Sequence, residues 1–320
     1  MVDQSELAWR MLARKYGAHV TFTPMVHMRQ FMTDKKYRKN AIEFSDKDRP
    51  CIAQFCGNSP ELFAASAKIV EPFCDGIDLN LGCPQNIARR GHYGSFLQDE
   101  WPLIKSMISE CKAAVNIPVS VKIRVFPDIE RTIAYAKMLE EAGATLITVH
   151  GRTREQTGQN SKLADWEQIK AVKMAVRVPV VANGNIVCYD DVAKCLNVTG
   201  ADAVMSAEPH LYNPTLFSNE QRTVFQVATE YLEFVREYPC PMSFIRGHLF
   251  KIFRNTLNNH TEMRDSLATA NTVSDVEAFI NHVKETCEQK CMSAGNWLAS
   301  SEPREIPYPH WICQAYLRPL

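Results

Sequence analysis

Between residues 17 and 206, short apolar runs alternate with amphipathic stretches in a regular order, and nothing else in the chain limits its fold so sharply. Strand followed by helix, repeated, lays the strands parallel, because each helix returns the chain to the edge from which the next strand starts. The strand candidates are residues 19–23, 51–55, 76–81, 119–124, 145–150, 178–182 and 203–206. Helical patterns separate them, among them residues 60–70 with Pro60 in the first turn and residues 129–142 closed by Gly143. Seven strands are one short of a (β/α)8 TIM barrel. A helical pattern over residues 5–16 follows Met1 and Val2 almost directly, so the expected first strand would precede residue 1, through a truncated start or an imperfectly closed barrel.

Polar and special side chains gather at the strand ends: Gln54, Asn80, Cys83, Lys122, Arg124, His150, Arg152, Asn183 and Glu208. A doubly wound open sheet also binds ligands at its strand C-termini, but so many equipped ends favour a ring. No G-x-G-x-x-G follows the first strand, which weakens a dinucleotide-fold reading. After about Pro214 the alternation stops, and residues 220–237, 241–257 and 273–287 read as helices without intervening strands. The expected division is a barrel over 1–218, a helical domain over 219–290 and an extension over 291–320. That last part carries Pro303, Pro307, Pro309 and Pro319 with Trp311 and Tyr316, a composition suited to an extended tail.

At 320 residues and 46% hydrophobic, the chain can bury a large core. Lys plus Arg and Asp plus Glu both number 36, so no overall charge draws it to nucleic acid or to a lipid surface. A polyanionic partner must meet a local patch. Residues 29–39 supply one: Arg29, Lys35, Lys36, Arg38 and Lys39 against Asp34 alone leave that expected loop at +4. Eleven cysteines without a repeating spacing, and no charged-then-apolar leader, suggest free thiols in a reducing compartment, cytosol or nucleus. No stretch approaches the roughly 18 apolar residues of a membrane span.

The segment Asp78-Leu-Asn-Leu-Gly-Cys-Pro-Gln85 is the most pointed. Ile77, Leu79 and Leu81 alternate with Asp78 and Asn80 at the period of a strand, and Pro84 cannot donate to a ladder, so Cys83 sits where the chain leaves the sheet. The following residues include Arg89, Arg90, Gly91 and Gly94, which suits a mobile lid over an anionic substrate. Lys122 and Arg124 flank Ile123 and therefore point to the same side. His150 and Arg152 repeat that arrangement one unit later around Gly151. Cys287-x-x-x-Cys291 with His310 and Cys313 has donors enough for zinc but lacks the paired spacing of a finger or ribbon, and no metal is expected.

This set resembles the tRNA-dihydrouridine synthases. It comprises Ala53-Gln-Phe, Leu79-Asn-Leu-Gly-Cys-Pro-Gln85, Gly91-x-x-Gly-Ser-Phe-Leu97, Val121-Lys-Ile-Arg124, Val149-His-Gly-Arg-Thr153, Ala182-Asn-Gly-Asn-Ile186 and Gly200-Ala-Asp-Ala-Val-Met205. Phe244-Ile-Arg-Gly-His-Leu-Phe-Lys-Ile-Phe-Arg254 carries the likeness into the helical region. Ser206-Ala-Glu208 and the Pro309-to-Pro319 tail look most like the eukaryotic branch acting at D-loop positions 16 and 17. The usual opening strand ending Ala-Pro-Met is matched only by Met1.

The resemblance implies reduction of uridine to 5,6-dihydrouridine in the D-loop of tRNA, by an FMN enzyme reduced by NADPH. No membrane and no obligatory protein partner are implied. Cys83 is the implied proton donor to C5, since a thiol of ordinary pKa, roughly 8.5, is mostly protonated at neutral pH. Lys122 faces the flavin's pyrimidine edge, and Gln54, His150, Met1, Asn183, Gly184, Asn185, Ala207 and Glu208 complete the implied cofactor set, the last five at a barrel's usual phosphate seat. Asn80, Arg124 and Arg152 are the implied contacts to the target nucleotide or RNA, with Arg246, His248, Lys251 and Arg254 as a further basic helix face. Two other readings stay open: a related flavin barrel acting on a free pyrimidine, and an RNA-binding homologue without catalysis.

Overall fold

The computed structural model describes residues 1–290 and 308–316. Its strands are β1 (Thr21–Phe22), β2 (Val26–His27), β3 (Cys51–Cys56), β4 (Gly76–Leu81), β5 (Val119–Arg124), β6 (Leu146–His150), β7 (Val180–Asn183) and β8 (Ala203–Met205). All pair in parallel in the order β1-β3-β4-β5-β6-β7-β8, and β2 also pairs with β3. β1 and β2 are thus two pieces of one strand position, interrupted at Pro24, which has no N–H for a ladder. Seven positions appear in the expected order. Among the described residues no pairing joins β8 to β1, and Met1 and Val2 lie outside any strand, so the expected ring is an open half-barrel.

Helices Pro60–Val70, Trp101–Ala114, Ile129–Glu141, Trp166–Ala175 and Tyr189–Thr199 connect the strands. Ser59, Asp128 and Asp165 start three of them by accepting first-turn N–H groups at 3.0–3.3 Å. The sheet is chemically two-sided. Ala53, Phe55, Ile77, Leu79, Val121, Ile123, Ile147, Val149 and Ala182 share a fully buried apolar face, and Phe55 meets Phe63 of the first connecting helix edge to face at 6.3 Å. Each such side chain contributes about 1.5–3 kcal/mol on burial, so this face holds the unit together. The opposite face carries Gln54, Asp78, Asn80, Ser120, Lys122, Arg124, Thr148, His150 and Asn183. Strand register sets them in rows, Gln54 beside Asp78 beside Ser120, then Asn80 beside Lys122 beside Thr148, then Arg124 beside His150 beside Asn183.

The chain divides into two compact units: residues 1–2, 19–186 and 190–206, and residues 3–18, 187–189 and 207–320. These units divide the chain differently from the expected boundary at 218, with residues 3–18 and 207–218 in the helical unit. The helix Leu7–Lys15 belongs with the helical unit, because its apolar face packs there: Trp9 stacks on His248 with ring centres 3.9 Å apart. Glu6 accepts from Tyr231 Oη at 2.7 Å and lies 2.9 Å from His248 Nε2. His248 is therefore fully buried and cannot be the RNA contact expected of it. Arg246 donates to the Ala270 carbonyl, and Arg254 lies over the Tyr316 ring at 4.6 Å. The expected helix over 241–257 breaks at Phe253, between helices Met242–Ile252 and Arg254–Asn259. Of the tail, residues 308–316 are described, and they dock by Thr223 bridging Ile312 and Cys313 N–H donating to Arg222.

Candidate active site

The turn after β4 is built around Asn80. Its Oδ1 accepts the backbone N–H groups of Gly82 (3.1 Å) and Cys83 (2.9 Å), while its Nδ2 donates to Gln54 Oε1 at 3.1 Å. Asn80 thereby fixes where the Cys83 thiol emerges, and one N–H of its amide is left for a ligand. The Cys83 carbonyl is held from the other side by Ser95, through its backbone N–H at 3.1 Å and its hydroxyl at 3.0 Å. Cys83 is half-exposed and packs on the cluster of Cys56, Ala88 and Tyr93.

The expected mobile lid is instead folded as the helix Asn86–Gly91 and a 3-10 turn at Gly94–Leu97. Gly94 has φ +65°, and a Cβ there would sit 2.7 Å from the Cys83 carbonyl oxygen. Gly94→Ala is therefore expected to displace Cys83 and to cost about 1–3 kcal/mol of stability, measured by urea denaturation. Arg89 and Arg90 are both exposed on that helix.

Beneath Asn80 lies a carboxylate that the sequence reading passed over. Asp78 is fully buried, accepts from Gln54 Nε2 at 2.8 Å and from Ser120 Oγ at 2.7 Å, and its pKa is pushed up to about 6 by burial. Its charge favours the Lys122 ammonium, which burial and Arg124 pull down to about 8. Lys122 is half-buried, and no hydrogen-bond acceptor among the described residues reaches its Nζ, so the ammonium is left for a ligand. A signal was present: Asp78 shares the face of Asn80 in an otherwise apolar strand.

Arg124 spends Nε on the Gly82 carbonyl (2.9 Å) and Nη1 on the carbonyls of Thr153 (2.7 Å) and Gln156 (3.2 Å), tying the Cys83 turn to the loop after β6. Its Nη2 has no partner among the described residues. The charge state of Cys83 acts on both Lys122 and Arg124, which puts the thiol and the two cations in one electrostatic neighbourhood.

His150 is held far below the usual imidazole range by burial and then by the charges of Lys122, Arg124 and Arg152. Arg152 Nη1 lies 3.0 Å from His150 Nε2. A guanidinium only donates, so Nε2 accepts and the proton sits on Nδ1, which finds no partner among the described residues. Arg152 is anchored further by Asn185 Oδ1 at 2.9 Å and by the carbonyls of Ser161 and Lys162. Its expected reach toward RNA is thus largely taken up in orienting His150.

The 183–185 turn closes the same end. Gly184 (φ +109°) and Asn185 (φ +63°) are both left-handed, and a Cβ on Gly184 would meet Ala164 at 2.6 Å and the His150 ring at 3.1 Å. Asn183 Nδ2 donates to the Met205 carbonyl. The backbone N–H groups of Gly184 and Asn185 have no acceptor among the described residues, so this turn presents two donors. Ala207 and Glu208 open the helix Glu208–Tyr212 in the other unit. The basic segment is also helical, as Met28–Thr33 and Lys35–Ala41 with Asp34 capping the second, and Arg29, Lys35, Lys36 and Lys39 are exposed.

A parallel half-barrel with Lys122, Arg124 and a neutral imidazole on its polar face, beside the Cys83 turn, is an α/β architecture whose chemically equipped groups gather at the C-terminal ends of the strands. The dihydrouridine synthase (Dus) model matches residues 1–294, and the chain belongs to that family and is an oxidoreductase of it. It is 49% identical over its whole length to the tRNA-dihydrouridine(16/17) synthase-like protein of Mus musculus, covering 67% of that protein. It is 43% identical to the tRNA-dihydrouridine(16/17) synthase of Saccharomyces cerevisiae, again over its whole length and 82% of the relative. Identity to the Homo sapiens tRNA-dihydrouridine(20a/20b) synthase-like protein is 32%, over 88% of this chain and 89% of that one. A solved 2-naphthoyl-CoA reductase shares the fold at TM-score 0.51 and 12% identity, over 68% of this chain and 46% of that one.

Proposed function

We propose that the chain reduces uridine to 5,6-dihydrouridine in the D-loop of tRNA, at positions 16 and 17, with Cys83 as the proton donor. The printed names of the mouse and yeast relatives specify tRNA, positions 16/17 and NAD(P)(+). The observation that carries the chemistry is the juxtaposition of a pinned, half-exposed thiol with Lys122, which has an unspent ammonium on the sheet's polar face.

FMN fits this set of residues. Lys122 and the Nδ1–H of His150 offer donors to the acceptor edge of a flavin, Gln54 adds an amide, and the Gly184 and Asn185 N–H groups suit a phosphate, with Asn183 and Met1 completing the set within the sheet unit. Reduced by NADPH, FMN would supply the hydride that adds to C6. Cys83 gives its thiol proton to C5 and is reprotonated from solvent, to which it is partly open. Arg124 Nη2 and the remaining N–H of Asn80 contact the everted base, while Nε and Nη1 of Arg124 keep the Cys83 turn still. Arg152 orients His150. Arg29, Lys35, Lys36 and Lys39 meet tRNA phosphates, a contact set that reads shape rather than sequence.

Purified protein incubated with FMN, NADPH and a tRNA carrying uridine at 16 and 17 is expected to form dihydrouridine at those positions alone. Equal reduction of free uridine would move the assignment to a free pyrimidine, and tight tRNA binding without NADPH consumption would make the chain a non-catalytic binder.

A further inference from the structure

We infer that His260, Cys287 and His310 form a structural zinc site within the helical unit, independent of the reductase reading. One donor atom of each residue lies within 4.8 Å of the other two. The three come from separate parts of the unit: His260 caps the helix Arg254–Asn259, Cys287 lies near the end of the helix Val273–Lys290, and His310 belongs to the docked segment 308–316. From sequence no metal is expected among Cys287, Cys291, His310 and Cys313; the structure sets His260 rather than Cys313 beside Cys287 and His310, and Cys291 lies outside the described residues.

His260 carries the argument. It is 7% exposed, its Nδ1 faces the Glu262 carboxylate at 3.5 Å, and its buried Nε2 has no hydrogen-bond partner. A buried imidazole nitrogen without a partner is costly, by about 1–3 kcal/mol, unless something else satisfies it. A histidine with a carboxylate on one nitrogen and an open lone pair on the other has the arrangement of a metal ligand, the carboxylate fixing the tautomer. Cys287 is fully buried, and the two imidazole rings stand edge to face with centres 5.2 Å apart.

Two imidazoles and a thiolate are the borderline-soft set that suits Zn2+ rather than the oxygen-preferring Mg2+ or Ca2+. Donors on a tetrahedral zinc stand roughly 3.3–3.8 Å apart, so these three need to close by only about 1 Å. Binding releases the Cys287 thiol proton and leaves the ion's remaining coordination position for water or another donor. The site would tie the end of the long helix and the 308–316 segment to the corner at His260, which restricts the unfolded chain more than the folded one.

The full-length chain, purified with zinc in the medium, is expected to hold about one zinc per chain by elemental analysis. Replacing zinc with Co2+ should give the visible bands of a tetrahedral ion and a near-ultraviolet thiolate-to-metal band. Cys287→Ser should abolish that thiolate band, and His260→Asn should lower zinc content at least tenfold. Should either variant fail to fold, Glu262→Gln, which changes the carboxylate facing His260 Nδ1, is expected to weaken zinc binding by about 10–100-fold. A chain that stays zinc-free and shows no thiolate-to-cobalt band overturns the site, as does a band unchanged by Cys287→Ser or zinc affinity unchanged by Glu262→Gln.

Discussion

Cys83→Ala is expected to lower dihydrouridine formation by about 10²–10⁴-fold while flavin content, tRNA affinity and NADPH-driven flavin reduction stay unchanged. The size follows from what the thiol does: without a positioned acid, C5 must take its proton from water that nothing holds in place. The selectivity follows from the geometry. The Cys83 turn is held by backbone contacts, Asn80 Oδ1 to its N–H and Ser95 to its carbonyl, so truncating the side chain leaves the turn in place. Cys83→Ser should recover little, because a hydroxyl is a far weaker acid than a thiol. Product formation by mass spectrometry of digested tRNA measures the effect, and retention of more than about a tenth of the wild-type rate would remove Cys83 from its role.

Lys122→Met is expected to lower turnover by about 10²–10³-fold, because the ammonium is the charge best placed to stabilise an anion forming on the ring it faces. The pH profile separates this role from packing. Burial and Arg124 bring Lys122 down to about 8, and burial brings Asp78 up to about 6, so between those values the ammonium and the carboxylate coexist. Wild-type turnover should fall above about pH 8 and below about pH 6, with apparent values that belong to the coupled pair. Lys122→Met should lose the share of the alkaline limb that this ammonium carries. The stability signs follow from which state holds the proton. Folding lowers the Lys122 pKa, so above about pH 8 the unfolded chain binds the extra proton and this residue's contribution to stability rises with pH until the unfolded value is passed. Folding raises the Asp78 pKa, so its contribution falls as pH rises from the unfolded value toward 6. Stability of the Met variant measured across pH 8 to 10 should therefore rise less than that of the wild type.

The strand order and the exit at Cys83 were legible because they rest on local chemistry: period-two alternation, Pro84 after Cys83, and apolar runs bounded by turns. Asp78 was not, since an acidic residue in an apolar strand acquires meaning only when Gln54 and Ser120 arrive from neighbouring strands. The cations mislead for a related reason. Arg124, Arg152 and His248 look like charges awaiting RNA, yet Arg124 and Arg152 mostly brace carbonyls and His150, while His248 is paired with Glu6 inside a core. Spacing reports which residues share a face and not what the face meets. The helix Leu7–Lys15 shows this most plainly, since its apolar stripe fits a barrel as well as the helical unit it joins. His260 escaped notice because a lone histidine carries no signal until Cys287 and His310 stand beside it.

The account depends on Cys83 and Lys122 facing one ligand space, with the thiol against the uracil and the ammonium against the flavin. A crystal structure of the protein with FMN and a tRNA whose D-loop uridine is everted would measure this directly. The prediction is Cys83 Sγ within about 3.5 Å of C5, and Lys122 Nζ within hydrogen-bond reach of the flavin's pyrimidine edge. A uracil C5 lying more than about 6 Å from that sulfur, with another acid nearer, would contradict it.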